Sequence, residues 1–98
     1  MPEMHFVARW PDGEVSTYYS PSLVVADYLD AGRSYAVGDF VERARLALRI
    51  ASERVLQKFG FACPRAARSL AQIEAKARKF HHLDDALVVV EAAGEFIT

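Results

Sequence analysis

Apolar and polar side chains alternate at the start of the chain, with Met4, Phe6 and Ala8 set against His5, Val7 and Arg9. A second β-prone run closes on Tyr18 and Tyr19, and Pro11-Asp12-Gly13 lies between the two. Period two argues for strands, proline blocks continuation of the first, and Asp-Gly supplies a tight reversal, so residues 4–19 predict a β-hairpin. Residues 20–38 leave two readings open. Ser20 could cap a short helix opened by Pro21, while Leu23-Val24-Val25 equally suits an extended segment, and Gly32 ends whatever precedes it. Structureless loops longer than about 12–15 residues are uncommon in compact domains. With Leu23, Val25, Tyr28, Leu29 and Tyr35 inside it, the stretch is expected to be a packed connector.

From Asp39 the period changes. Phe40, Ala44, Ala47, Leu48, Ala51, Val55 and Phe59 recur at three and four, Asp39 and Glu42 have capping-box spacing, and Gly60 follows as a left-handed stop, which predicts a helix over 39–59. Pro64 suits the first turn of a second helix over 64–80, with Ala66, Leu70, Ile73, Ala77 and Phe80 on its buried face. The short link between them predicts an antiparallel helical hairpin. Ala86 to Val90 is apolar without alternation, as in a strand covered on both faces or central in a small sheet, and predicts a strand over 86–91. The tail 94–98 is expected to fray, with Phe96 and Ile97 free to dock or pair with another chain. The elements compose a single α+β domain over 1–98, ordered ββααβ, with the helices covering one face of a small antiparallel sheet.

Composition narrows the function classes. At 98 residues, 52% hydrophobic and 26% charged, the chain fits one core and excludes a two-domain enzyme. A net charge of -1 argues against nucleic-acid or membrane binding by bulk charge. One cysteine, Cys63, forms neither an internal disulfide nor a multi-cysteine metal site. With no long apolar run and no basic leader ahead of one, a cytoplasmic protein without membrane contact is expected.

The charges are nonetheless segregated. Residues 40–80 hold ten of the twelve basic side chains and three acids, a net +7, so the remainder carries -8. That layout suits either an anion or RNA reading through Arg43, Arg49, Arg65 and Arg68, or a solvated face that complements another subunit. No glycine-rich phosphate loop sharpens the first. Cys63 precedes a helix N-terminus, but His81 and His82 lie about 24 Å away along that helix, which rules out a Cys/His pair within one subunit. His5, His81 and His82 lack partners at ligand spacing, and Asp84-Asp85 reads as a turn before the strand, so neither a metal nor a cofactor is expected. The aromatic side chains Phe6, Trp10, Tyr18, Tyr19, Tyr28 and Tyr35 gather in the first third, and three strands leave two open edges. Both features point to a homodimer.

Several segments together resemble a known family: Met4-His5-Phe6, Arg9 to Gly13, Tyr19 to Ser22, Val24-Val25, Tyr28-Leu29, Ala51 to Val55, and Phe59 to Cys63 with Ile73-Glu74. Over residues 1 to 92 the chain resembles small bacterial nitrogen starvation response proteins. The resemblance implies a gene cluster containing a nitrilase and a place in nitrile or cyanide nitrogen use, and it carries no catalytic residues. Within the resembling segments, Arg9, Trp10, Tyr19, Ser20, Ser22, Ser52 and Arg54 are the candidate binding residues. Three functions are weighed: an accessory or regulatory protein that binds an enzyme of the cluster, a small enzyme with an inter-subunit site anchored by Arg54, Ser52 and Tyr19, and the anion or RNA module. A closed pocket holding Arg54 and Tyr19 would favour the second, and an exposed apolar patch of a few hundred Å² the first.

Overall fold

In the computed structural model, which describes residues 3–80 and 85–95, the hairpin forms as its pattern predicts. Strand β1 is Met4–Arg9 and β2 is Val15–Ser20, antiparallel with Met4 opposite Ser20 and Arg9 opposite Val15. Asp12 Oδ1 accepts the Glu14 N–H at 3.0 Å, and Gly13 adopts φ 87°, which a side chain at Cβ disfavours.

The connector is packed and carries two elements of its own. Helix α1 is Val25–Tyr28 and strand β3 is Ser34–Ala36. Neither of the two sequence readings for its start holds as stated. Ser20 caps no helix: its hydroxyl donates to the Ser22 carbonyl at 2.8 Å and accepts the Ser22 N–H, while Ser22 Oγ accepts the Val24 N–H. These side-chain turns bend the chain before α1 begins. After Gly32 the backbone locks onto the last strand, Gly32 N–H to Val90 O at 2.6 Å and Val90 N–H to Arg33 O at 2.9 Å.

Helix α2 is Val37–Phe59, two residues longer than predicted. The expected capping box is absent, because Ala36 is the N-cap and Asp39 already lies in the first turn, paired with Arg43 at 3.1 Å. Gly60 ends the helix at φ 83° with its N–H on the Leu56 carbonyl. Phe59, assigned by spacing to the buried stripe, is 53% exposed. Helix α3 is Pro64–Ala77, and the predicted last turn is instead a 3₁₀ turn, Arg78–Phe80. Arg45 early in α2 reaches Glu74 late in α3 at 2.8 Å, so the helical pair runs antiparallel.

Strand β4 is Leu87–Glu95, longer than the predicted 86–91, and includes the start of the segment expected to fray. It is central, between β1 and β3 in the order β2-β1-β4-β3. The domain is α+β with a small antiparallel sheet, as expected; among the described residues the sheet has four strands, and counting α1 and β3 of the connector extends the order ββααβ to ββαβααβ. Val88 and Val90 are buried while Leu87 is 51% exposed, so one face of β4 is covered, not both. A bulge between Val7 and Ala8 leaves Glu91 as the extra residue, and its carboxylate accepts from Arg9 Nε.

The core lies between the sheet face of Met4, Phe6, Ala8, Tyr18, Val88 and Val90 and the helices. Trp10 is its hub. Its ring meets Phe40 edge-on at 5.4 Å, stacks on Phe80 at 6.0 Å, and donates Nε1–H to Tyr18 Oη at 3.1 Å.

Candidate functional site

Both long helices grip the corner where β2 runs into the connector. Ser69 of α3 donates to the Tyr19 carbonyl at 2.7 Å and accepts the Tyr19 N–H at 3.2 Å. Arg65, one turn earlier, lays its guanidinium 3.7 Å over the Tyr19 ring. From α2, Arg54 Nη1 donates to Ser22 Oγ at 2.9 Å. The resulting corner joins Tyr19 and Ser22 to the helical pair. Partial burial pushes the Tyr19 phenol above its ordinary range, as do the charge and hydrogen bond of Glu3, with the Arg65 cation opposing. Cys63 is near enough to add to the rise. With Arg65 over the Tyr19 ring, the N-terminal end of α3 adjoins the Tyr19 corner.

The sequence candidates fall in four places. Tyr19, Ser22 and Arg54 belong to this corner, although the contacts run through Ser69, Arg65 and Ser22 and do not join Tyr19 to Arg54. Trp10 and Ser20 are interior, 2% and 0% exposed, and serve the core and the turn. Arg9 is exposed at the far end of β1, held by Glu91 and the Gly13 carbonyl. Ser52 is half-buried on α2. Of the arginines weighed for anion binding, Arg43 is held inside the fold by Asp39, the Tyr28 carbonyl and the Tyr35 ring, while Arg49 and Arg68 are exposed.

Beside the corner, the α2–α3 turn presents large apolar side chains to solvent. Leu56 is 46% exposed, and Phe61 still more so than Phe59. Leu56 and Phe59 stand one turn apart, and the Phe59 and Phe61 rings meet at 6.4 Å. Taking roughly 200 Å² per side chain, the three expose about 300 Å² of apolar surface. Lys58 lies over the Phe59 ring at 5.7 Å. The periodicity had placed Phe59 in the core. The aromatic directly after Gly60, Phe61, is the available signal that the stripe runs past the core's end.

Sequence reasoning also missed Lys76. It is only 9% exposed, and its ammonium bridges Asp12 at 2.8 Å and Glu14 at 3.0 Å in the hairpin turn. The bridge raises the Lys76 pKa and holds the Asp12 carboxyl below its ordinary value. Part of the segregated charge is thus matched within the fold, helix against hairpin. Ser69 and Lys76 share the face of Ala66 and Ile73 at three- and four-residue spacing, which was the legible sign of their burial.

Cys63 is buried at the N-cap of α3 without a side-chain capping bond. His81, His82 and Asp84 lie outside the described residues. Among the described residues, no group of three or more His, Cys, Asp or Glu is arranged to hold a metal ion, and no helix is long and apolar enough to cross a membrane.

A family model described as nitrogen starvation-induced protein NitG matches residues 5–93. No curated protein and no solved structure matches the chain.

Proposed function

The chain belongs to the nitrogen starvation-induced NitG protein family, and from that premise we propose that it is an accessory or regulatory protein of the starvation response, acting by contact with another protein. The observation that carries this reading is the exposed cluster of Leu56, Phe59 and Phe61 at the α2–α3 turn. A patch of about 300 Å² has the size of the largest apolar patch on a typical monomer, which is often functional, and aromatic side chains dominate binding hot spots. A stretch that places two phenylalanines within three residues, at a turn where polar residues would serve folding equally, supports selection for contact. The partner we propose is an enzyme of nitrogen acquisition encoded with the family, a nitrilase first among them, and the assembly includes a second copy of this chain.

The test is affinity capture from nitrogen-starved and nitrogen-replete cells with the tagged chain, against the Phe59→Ser/Phe61→Ser and Tyr19→Ala/Arg54→Ala double variants. Capture of a nitrogen-metabolism enzyme, lost in the folded Phe59→Ser/Phe61→Ser variant and weakened in the other, is the expected result. Recovery of the chain alone with a small molecule would overturn the accessory reading and favour an inter-subunit active site.

A further inference from the structure

Strand β2 is a sheet edge, and the parity of its ladder decides which backbone groups face outward. The Trp10 N–H donates to the Glu14 carbonyl at 2.9 Å, so these two form a hydrogen-bonded pair. Alternation then makes Arg9–Val15, Val7–Thr17 and His5–Tyr19 the pairs whose amides point away from each other. Tyr19 confirms this independently, since both its N–H and its carbonyl are taken from the outer side by Ser69. The N–H and carbonyl of Thr17 and of Val15 face the same way.

Helix α3 guards this edge at one end only. Ser69, with one carbon between Cα and oxygen, touches the strand backbone directly, whereas seven residues later Lys76 needs its whole side chain to reach Asp12 and Glu14. Helix and strand therefore diverge. Between them lies a groove of about 310 Å³ lined by Glu14, Ser16, Thr17, Tyr18, Gln72 and Lys76. Among the described residues, the outward Thr17 amide groups, the Ser16 hydroxyl and the Gln72 carboxamide carry no hydrogen bond.

We propose that this wedge binds an extended peptide segment that adds to β2 over Val15 to Thr17 and places a cationic group beside Glu14. Strand addition is the ligand mode that an outward N–H and carbonyl at strand spacing select. The charge requirement comes from the triad at the groove's end: two carboxylates share one ammonium, and the Glu14 side chain is 62% exposed, leaving a net negative mouth. The volume admits a short stretch of main chain and excludes a folded element. The site is separate from the apolar turn, and the two can fail independently.

The test pans a random heptapeptide phage library on the full chain, then titrates the enriched synthetic peptide by ¹⁵N-resolved NMR and calorimetry. The expected peptide carries Lys or Arg, shifts the amides of Val15, Thr17 and Gln72, and binds at least about tenfold more weakly to Thr17→Pro, which deletes an N–H that β1 does not use. Gln72→Trp, at an exposed helical position, fills the groove and gives the same loss should Thr17→Pro fail to fold. Glu14→Gln weakens the cationic peptide selectively. No saturable binding, shifts centred on Phe59 and Phe61, or equal affinity for the variants would overturn the proposal. So would a dimer that Gln72→Trp dissociates, which would give the edge to a second copy of the chain.

Discussion

Replacing Ser69 with alanine tests whether α3 holds the hairpin edge through a single hydroxyl. The side chain is 4% exposed and makes two hydrogen bonds, one as donor and one as acceptor, to the same residue. Each is worth roughly 1 kcal/mol net, and their loss leaves a partly buried N–H and carbonyl unpaired. Alanine returns about 0.5 kcal/mol in helix propensity. The expected cost is therefore about 1.5 kcal/mol, or roughly 6–12 °C in Tm for a domain of this size. Urea denaturation followed by far-UV circular dichroism measures the first quantity, and hydrogen exchange at the Tyr19 amide reports the bond itself. Ser52→Ala is the control, because that serine makes no side-chain hydrogen bond on the same helical pair and its removal is expected to be neutral or slightly stabilising. A Ser69→Ala loss below about 0.5 kcal/mol with unchanged Tyr19 exchange would refute the reasoning, since it would mean that packing alone docks α3 on β2.

Three further outcomes are expected. Asp12 is held below its ordinary pKa by Lys76, so its contribution to stability is present above the unfolded carboxylate value of about 3.9 and is lost as pH falls through the folded value; the raised Lys76 pKa adds stability below about 10.4 that is lost as pH rises through its folded value. Denaturation midpoints across the pH range should therefore drop at both ends, and Lys76→Met should flatten both limbs. Phe59→Ser/Phe61→Ser should change stability by no more than about 1 kcal/mol in thermal melts, because both rings are more than half exposed, and a larger loss would make them core residues. Gly60→Ala should cost about 1–2 kcal/mol in the same melts, since a Cβ there meets no neighbour and the penalty is the left-handed backbone alone.

What the sequence made legible followed from local signals that tertiary structure reinforces. Alternation through Met4, Phe6 and Ala8 with Asp12-Gly13, and the stripe from Phe40 to Val55 ended by Gly60, were sufficient for the hairpin and α2. Strand β3 was not legible, because Ser34–Ala36 has only three residues and its extended form is imposed by β4. The start of α2 was misplaced for a related reason: Asp39 offered a capping signal, but the pairing of β3 fixes the chain up to Ala36 and the helix starts directly after it. For the candidate surface, Tyr19, Ser22 and Arg54 stand in the resembling segments, and the structure places Tyr19 and Ser22 on one corner, contacted by Arg65 and Arg54 respectively. Trp10 stands in the same resembling segments and is the hub of the core, since an indole with a buried hydrogen-bond partner looks in sequence like one at an interface. For Ser69 and Lys76 the spacing marks a buried face, but the role of a buried polar side chain is recognisable only through its partner, and those partners, Tyr19 and the Asp12–Glu14 turn, are 50 to 64 positions away in sequence.

The most direct test of the central claim places a photo-crosslinking phenylalanine analogue at Phe61 in the otherwise native chain, irradiates nitrogen-starved cells, and sequences the crosslinked peptides by mass spectrometry. The account predicts crosslinks to a defined segment of another protein, absent when the analogue replaces Arg9 at the opposite end of the sheet. Solvent-quenched product without crosslinks, or crosslinks equal at both positions, would contradict a role exercised through the α2–α3 turn.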